Sequence, residues 1–362
     1  MQFSLFQPLP YFAPELPRGW PQSPSKFDPR YGLKSVQRNM EIIEAADAGG
    51  FDYISVAEHH YAARQMCPSP ALAAALIVQR VKRAKIAILG VDLPLHNPVQ
   101  VAEELAMLDT FSGGNLLVGL FRGTPNEYAT YGHNPGESKA MFEEGVELLL
   151  KAWSEPEPFG WEGVHYRHRM VSIWPQPVQR PRPPVLVSGN SPSSIEFAAR
   201  HRLKIGLSFL PVEFVPQAVA AFHEAAERHG WRPGPEDVLW RGFAYVAETD
   251  DNAREVVEKY NFGDLYGILA PTERQAPSFL SIVSEVMEAG FGGASAGGGG
   301  SLQMPPPQPI AGSPDKVVEQ LRTVQEAGVG IADLIVSTDA VPPELSLEAV
   351  KLLGRDVIPA FR

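Results

Sequence analysis

A single cysteine, Cys67, stands in 362 residues, which excludes an intramolecular disulfide and any thiolate cage for zinc or an iron–sulfur cluster. No apolar run approaches the roughly 20 residues that a membrane-spanning helix needs, so no membrane partner is expected. Positive charge is also scarce: 31 basic against 42 acidic residues leave a formal charge of -11, the wrong sign for a chain that neutralises nucleic-acid phosphates. There is no G-x-G-x-x-G after a strand, no Walker A loop, no H-E-x-x-H and no G-x-S-x-G. Rossmann-type nicotinamide sites, P-loops, zincins and serine hydrolases therefore lack their signatures. The opening MQFSLFQPLPYF has neither the basic start nor the long apolar stretch of a secretory signal, and a cytoplasmic location is expected.

What is present is an ordinary globular composition, 44% apolar and 20% charged. A chain of this size can bury about 75% of its unfolded surface and needs no covalent staple. Short aliphatic or β-branched runs alternate with amphipathic ones. The runs Phe3–Phe6, Tyr53–Ala57, Lys85–Val91, Leu116–Leu120, Val185–Ser188, Ile205–Ser208, Arg241–Ala247 and Asp333–Ser337 read as strands. Between them Val36–Ala48, Pro98–Thr110, Met141–Trp153, Ser193–His201, Val215–His229 and Pro314–Ala327 carry apolar residues at helical spacing. The alternation predicts an α/β fold, a (β/α)8 TIM barrel that fills residues 1–362 as one domain. Two stretches interrupt it. Phe159–Pro184 is aromatic and proline-rich and predicts an extended insertion after the fourth βα unit; Gly290–Pro309, a glycine run followed by prolines, predicts a flexible loop before the eighth strand, either a lid or an inert insertion.

In such a barrel chemistry belongs on the loops after the strands' C-terminal ends. Three predicted strands end there in polar residues: Glu58-His59-His60, Arg122-Gly123-Thr124 and Gly189-Asn190-Ser191. Adjacent residues on an extended segment point apart, which disfavours a metal held by both imidazoles. The triplet is left with a structural reading and a catalytic one, since an imidazole exchanges protons near neutral pH. Arg122 suits a phosphate clamp, or a salt bridge to Glu127. Gly189 to Ser194 runs into a helix start, which serves as an N-cap alone or as an anion site. His96, near a strand end, stays ambiguous; the other six histidines read as loop or helix-surface residues. The spacing reaches a barrel enzyme for a phosphorylated ligand with His59 or His60 moving protons, and does not name the reaction.

At these residues the chain resembles the bacterial luciferase-like family of flavin-dependent monooxygenases, in its luciferase α-subunit-like branch. The resemblance is carried by Phe3-Ser4-Leu5-Phe6, by Ala57-Glu58-His59-His60, by LPLHNPVQVAEELAMLDTFSGGNLLVGLFRG at Leu93–Gly123, by WPQPVQRPRPPVLVSGNSPSSIEFAAR at Trp174–Arg200 and by AGSPDKVVEQLRTVQEAGVGIADLIV at Ala311–Val336. It implies reduced FMN at the barrel mouth, with His59 near the reactive edge of the ring, His60 and Glu58 beside it, and Arg122, Gly123 and Thr124 at the phosphate. Asn190, Ser191 and Ser194, after Gly189, complete the phosphate site, and a non-proline cis peptide at about Leu89-Gly90-Val91 lies under the flavin. The implied reaction is oxygenation of a small organic substrate by dioxygen through a C(4a)-peroxyflavin, with reduced FMN supplied by a separate flavin reductase and the chain a homodimer.

Two positions depart from the luciferases: their reactive cysteine before the strand-four arginine is Phe121 here, and the glutamate of their strand-five turn is Asn190. Phe6, Tyr11, Trp20, Phe121 and Phe209 are expected to line an apolar pocket. The alternatives are a deazaflavin-dependent hydride-transfer enzyme on the same barrel and a non-catalytic flavin-binding subunit.

Overall fold

A computed structural model describes residues 1–14, 20–263 and 308–362; the proposed lid at Gly290–Pro309 lies outside the described residues except for its last two. Eight parallel strands close into a ring: β1 (Gln2–Phe6), β2 (Tyr53–Val56), β3 (Lys85–Asp92), β4 (Leu116–Phe121), β7 (Val185–Ser188), β8 (Lys204–Ser208), β9 (Val238–Val246) and β11 (Ile331–Ile335). β9 pairs with both β8 and β11, and β11 returns to β1, so the barrel has no free edge. A short strand β10 (Ile310–Gly312) adds to the end of β9. The predicted insertion contains an antiparallel hairpin of β5 (Phe159–Glu162) and β6 (Arg167–Val171). Two carboxylates, the half-buried Glu144 and the buried Asp109, tie it down. Glu144 accepts the N–H groups of Val164, His165 and Tyr166, and Asp109 accepts those of Val178 and Gln179.

The helices are α1 (Pro29–Ala48), α2 (Pro70–Val78), α3 (Pro98–Phe111), α4 (Pro125–Tyr131), α5 (Ser138–Ser154), α6 (Pro192–His201), α7 (Val215–Arg228), α8 (Asp250–Lys259), α9 (Pro314–Glu326) and α10 (Pro343–Leu352). Seven of the ten open with a proline, and in α1, α2, α3 and α6 it stands behind a capping side chain, Asp28, Ser69, Asn97 and Ser191, because the proline lacks the N–H that would go unpaired there. Period-two alternation sends one face of each strand inward, where Ala87, Leu89, Leu117, Leu186, Leu239 and Ile331 fill the barrel, and the other toward the helices. No described helix is long and apolar enough to cross a membrane.

One irregularity shapes the mouth. In β3 the register with β4 slips at Gly90, so that Leu89 faces Gly119 while Val91 faces Leu120 and Asp92 faces Phe121. Gly90 has φ 153°, and a Cβ there would sit 2.7 Å from the Ala57 Cβ. This bulge reverses the phase of the strand. Val91 is carried to the helix side with Leu120, and Asp92 turns inward at the strand's end. The cis peptide expected at Leu89-Gly90-Val91 is absent: the described cis bonds are Trp20-Pro21, Trp174-Pro175 and Arg180-Pro181, all before proline. The bulge alone redirects the chain at that place, through a glycine that tolerates the unusual φ.

Candidate active site at the barrel mouth

The segment leaving β2 sends alternate side chains to opposite partners. Glu58 and His60 share a face, and His60 Nε2 lies 2.9 Å from Glu58 Oε1. His59 turns the other way, its Nδ1 3.0 Å from Glu127 Oε1. The two imidazoles are thus engaged by different carboxylates. His60 also meets the Tyr131 hydroxyl at 3.3 Å, and its carbonyl accepts the Trp20 indole N–H at 2.8 Å.

Glu58 is fully buried and carries a second load, His96 Nε2 at 2.8 and 3.0 Å from its two oxygens, and a third, the Asp92 N–H. Burial by itself would raise its pKa, but the bonds to His60 and His96 outweigh it and hold the carboxyl down at about 2. Burial likewise works against protonated His96, and the Glu58 carboxylate beside it prevails and raises its pKa. Glu127, also buried, stays ionised for the same kind of reason: burial is overcome by His59 and by Thr124. The third carboxyl of the cluster is Asp92. Burial, then repulsion from Glu127 and Glu58, pushes it well above the ordinary carboxylate range, and its Oδ2 has no partner. Three acids therefore divide into two anions and one neutral acid. Cys67 lies under this cluster with its thiol pushed up to about 12 by burial and by the Glu58 charge, so it is no nucleophile.

Arg122 follows β4, half-buried, and burial lowers its pKa. Glu127, the salt-bridge partner that sequence suggested for it, is bonded to His59 and Thr124. The Arg122 carbonyl accepts the Tyr128 hydroxyl. Gly123, at φ 91°, lets the chain turn directly over Asp92, whose Cγ would be 3.2 Å from a Cβ there. Thr124 caps α4, its N–H and hydroxyl both bonded to Glu127. On the neighbouring strand β7, Asn190 reaches Ser208 O at 2.8 Å, while its Oδ1 is buried and unpartnered. Ser191 and Ser194 form a reciprocal cap on α6. Arg122 and the start of α6 stand on adjacent strand ends, a cation beside the positive end of a helix that fits a flavin phosphate, whereas the unpartnered Asn190 Oδ1 is an acceptor and gives a phosphate nothing.

Inside the barrel below the mouth is a network that sequence reading missed. Arg241 Nε is 2.6 Å from Asp333 Oδ2, Asp333 Oδ1 accepts the Ser55 hydroxyl, and Arg241 Nη2 donates to Leu89 O at 3.2 Å, just before the bulge. The guanidinium lies over the Phe6 ring, 4.0 Å from its centroid. Of the expected pocket residues, Phe209 packs on Phe243, and Tyr11 lines a cavity of about 240 Å³ with Phe27, Tyr61, Met66 and Lys26. Trp20 stacks on Tyr61. Phe6 and Phe121 face the barrel interior, and Leu89 and Gly90 lie at its rim. Among the described residues no group of three or more His, Cys, Asp or Glu could hold a metal ion.

Comparison with known proteins places the chain and its fold. The oxygenase component of a flavin-dependent trigonelline monooxygenase from Acinetobacter baylyi is 27% identical over 242 residues, 65% of this chain and 66% of that one, just under two thirds of its length. The crystal structure of monooxygenase RslO1 from Streptomyces bottropensis superposes over the whole of both chains with TM-score 0.77 at 26% identity. The oxygenating constituent of 3,6-diketocamphane monooxygenase from Pseudomonas putida, in complex with FMN, gives 0.72 at 22% identity over 99% of this chain and 98% of that one. An F420-dependent secondary alcohol dehydrogenase gives 0.72 at 16% identity over 100% and 99%, which speaks for the barrel alone. The family of luciferase-like monooxygenases matches residues 9–330, and the chain belongs to it.

Proposed function

We propose that this protein is the oxygenase component of a two-component flavin monooxygenase, binding reduced FMN at the barrel mouth and using dioxygen to oxygenate a small organic molecule. The observation that carries the reading is the arrangement of the mouth: a cation and a helix start on β4 and β7, with an imidazole held by a buried carboxylate on the other side of the β3 bulge. Arg122 and the first turn of α6 hold the phosphate, and the backbone at Leu89 and Gly90 supports the ring. When bound, the reduced flavin supplies the activation of dioxygen, the chemistry the protein has no side chain for. His59 holds or moves a proton at Nε2, with Glu127 as its fixed counter-charge. Glu58 anchors His60 and His96 and keeps that wall of the mouth rigid.

A deazaflavin in the same mouth is the second reading, favoured by the barrel shared with the F420-dependent dehydrogenase and with an F420-dependent reductase. The relative named as flavin-dependent is more similar in sequence than either, at 27% against 16%. A homodimer belongs to the proposal. α2 and α3 leave Leu72, Leu76, Met107 and Phe111 exposed on the barrel's flank, an apolar face suited to a second copy. Oxygen uptake with reduced FMN and a panel of small organic substrates tests the reading. His59→Ala is expected to keep FMN while turnover falls about 100-fold or more. Unchanged turnover would take His59 out of the reaction.

A further inference from the structure

Glu127 and His59 join the cap of α4 to the mouth of the barrel. Glu127 is the third residue of α4 and serves two masters at once. Its Oε2 accepts the Thr124 N–H at 3.1 Å and the Thr124 hydroxyl, which closes the reciprocal cap of the helix. Its Oε1 faces His59 Nδ1 at 3.0 Å. Glu127 is 1% exposed, and the His59 side chain is 32% exposed. The imidazole therefore has one nitrogen locked inside the protein. The other, on the far side of the ring, has no partner among the described residues.

An ionised carboxylate can only accept, so the nitrogen facing it must carry the hydrogen. We infer that Glu127 is the positioning residue of the site: it holds His59 as the Nδ1–H tautomer and leaves Nε2 as the one basic atom turned to the mouth. This rests on the reading of His59 as the proton-moving group. The arrangement follows the logic by which a buried carboxylate fixes the tautomer of a catalytic imidazole elsewhere. Here the carboxylate is itself fixed by the turn that follows Arg122 and Gly123. The anion site and the base are therefore built on one short segment, Arg122 to Glu127.

The geometry also dictates what a conservative change does. Glutamine at this place keeps the helix cap, because the cap needs an acceptor for the Thr124 N–H and glutamine supplies one oxygen. That oxygen is then spent, and the amide NH2 is left facing His59 Nδ1. An NH2 donates, so Nδ1 must accept and the ring proton moves to Nε2. Glu127→Gln thus removes the base without removing the fold.

The test is nitrogen-15 NMR of the imidazole signals in the flavin-free protein near pH 8, assigned to His59 by their loss in His59→Gln. The wild type is expected to show Nδ1 protonated and Nε2 not, and Glu127→Gln the reverse. In the oxygenation assay Glu127→Gln is expected to lose about 100- to 10,000-fold in turnover with its KM changed by less than about threefold, the scale of a general base removed. Glu127→Asp should recover part of that loss. A wild-type protein with its proton on Nε2 would overturn the inference directly, even if the variant did not fold. So would a Glu127→Gln protein with an unchanged tautomer. A clean tautomer reversal with undiminished turnover would leave Glu127 as the group that sets His59 and would count against the catalytic reading of His59.

Discussion

The Glu58 carboxylate is bonded through both of its oxygens to the His96 imidazole, at 2.8 and 3.0 Å, while one of those oxygens also takes His60 at 2.9 Å. One buried anion therefore binds two strand ends and the segment entering α3. Its folded pKa, held at about 2, lies below the ordinary value of 4.5. Its stabilisation is present above pH 4.5 and is lost as the pH falls through 2. The contribution is on the order of 3 kcal/mol. Denaturant unfolding of the wild type and Glu58→Gln should show a gap that narrows from pH 5 to pH 2. A gap independent of pH would mean that the charge is not what holds the cluster. His96, raised by Glu58, works in the opposite direction, its share present below its unfolded value and lost as pH rises through the folded one.

Asp92 behaves as the inverse of Glu58. Burial, Glu127 and Glu58 raise its pKa, so the folded protein keeps a proton there that the unfolded chain gives up above about pH 4. The cost to stability grows as pH rises from there toward the folded value. Asp92→Asn keeps the shape and removes the cost. The variant should therefore gain in Tm over the wild type as the pH is taken from 4 to 8. An Asp92→Asn protein that loses stability across that range would mean that Asp92 is ionised and paired.

Arg122→Ala should weaken reduced-FMN binding by about 1.5–3 kcal/mol, the worth of a charge-assisted hydrogen bond. In Kd this is about 10- to 150-fold. Isothermal titration under anaerobic conditions reads it. Unchanged affinity would remove the phosphate role from Arg122 and leave it to the α6 turn.

The barrel-interior pair is a test of structure without chemistry. Asp333→Asn strands the Arg241 guanidinium, which is 93% buried by the 7% exposure it retains, and should cost about 3–5 kcal/mol. Replacing both partners together, Arg241→Met with Asp333→Leu, should recover most of that loss, since no charge is then left unpaired. A single substitution within about 0.5 kcal/mol of wild type, the range of an ordinary surface change, would mean that the pair carries no stability.

The barrel was legible in the sequence because its strands are apolar runs and its helices amphipathic. What escaped has specific causes. The sequence pattern starts two strands at Arg241 and Asp333, as if a charge marked a strand's edge, whereas β9 and β11 begin at Val238 and Ile331 and hold those charges in the interior. They are tolerated there because they sit opposite one another in register and neutralise each other. Asp92 was invisible because one bulged glycine, Gly90, inverts the alternation that pattern reading relies on. Helix α4 has no apolar period, but Thr124-Pro125-Asn126-Glu127 is a capping-box pattern that would have flagged it and with it Glu127. The His59 and His60 divergence, by contrast, followed from the strand geometry alone. Ser191 and Ser194 realise the cap that their spacing suggested.

The central claim is that the mouth takes reduced FMN and turns it on dioxygen. An anaerobic titration of the protein with reduced FMN and, separately, with a reduced deazaflavin, each followed by rapid mixing with air, tests it most directly. The account predicts tight FMN binding, a transient absorbance near the blue edge of the visible on mixing, and oxygen consumption that depends on an organic substrate. Binding of the deazaflavin alone, with no reaction toward oxygen, would contradict it and make the same His59 part of a hydride-transfer site.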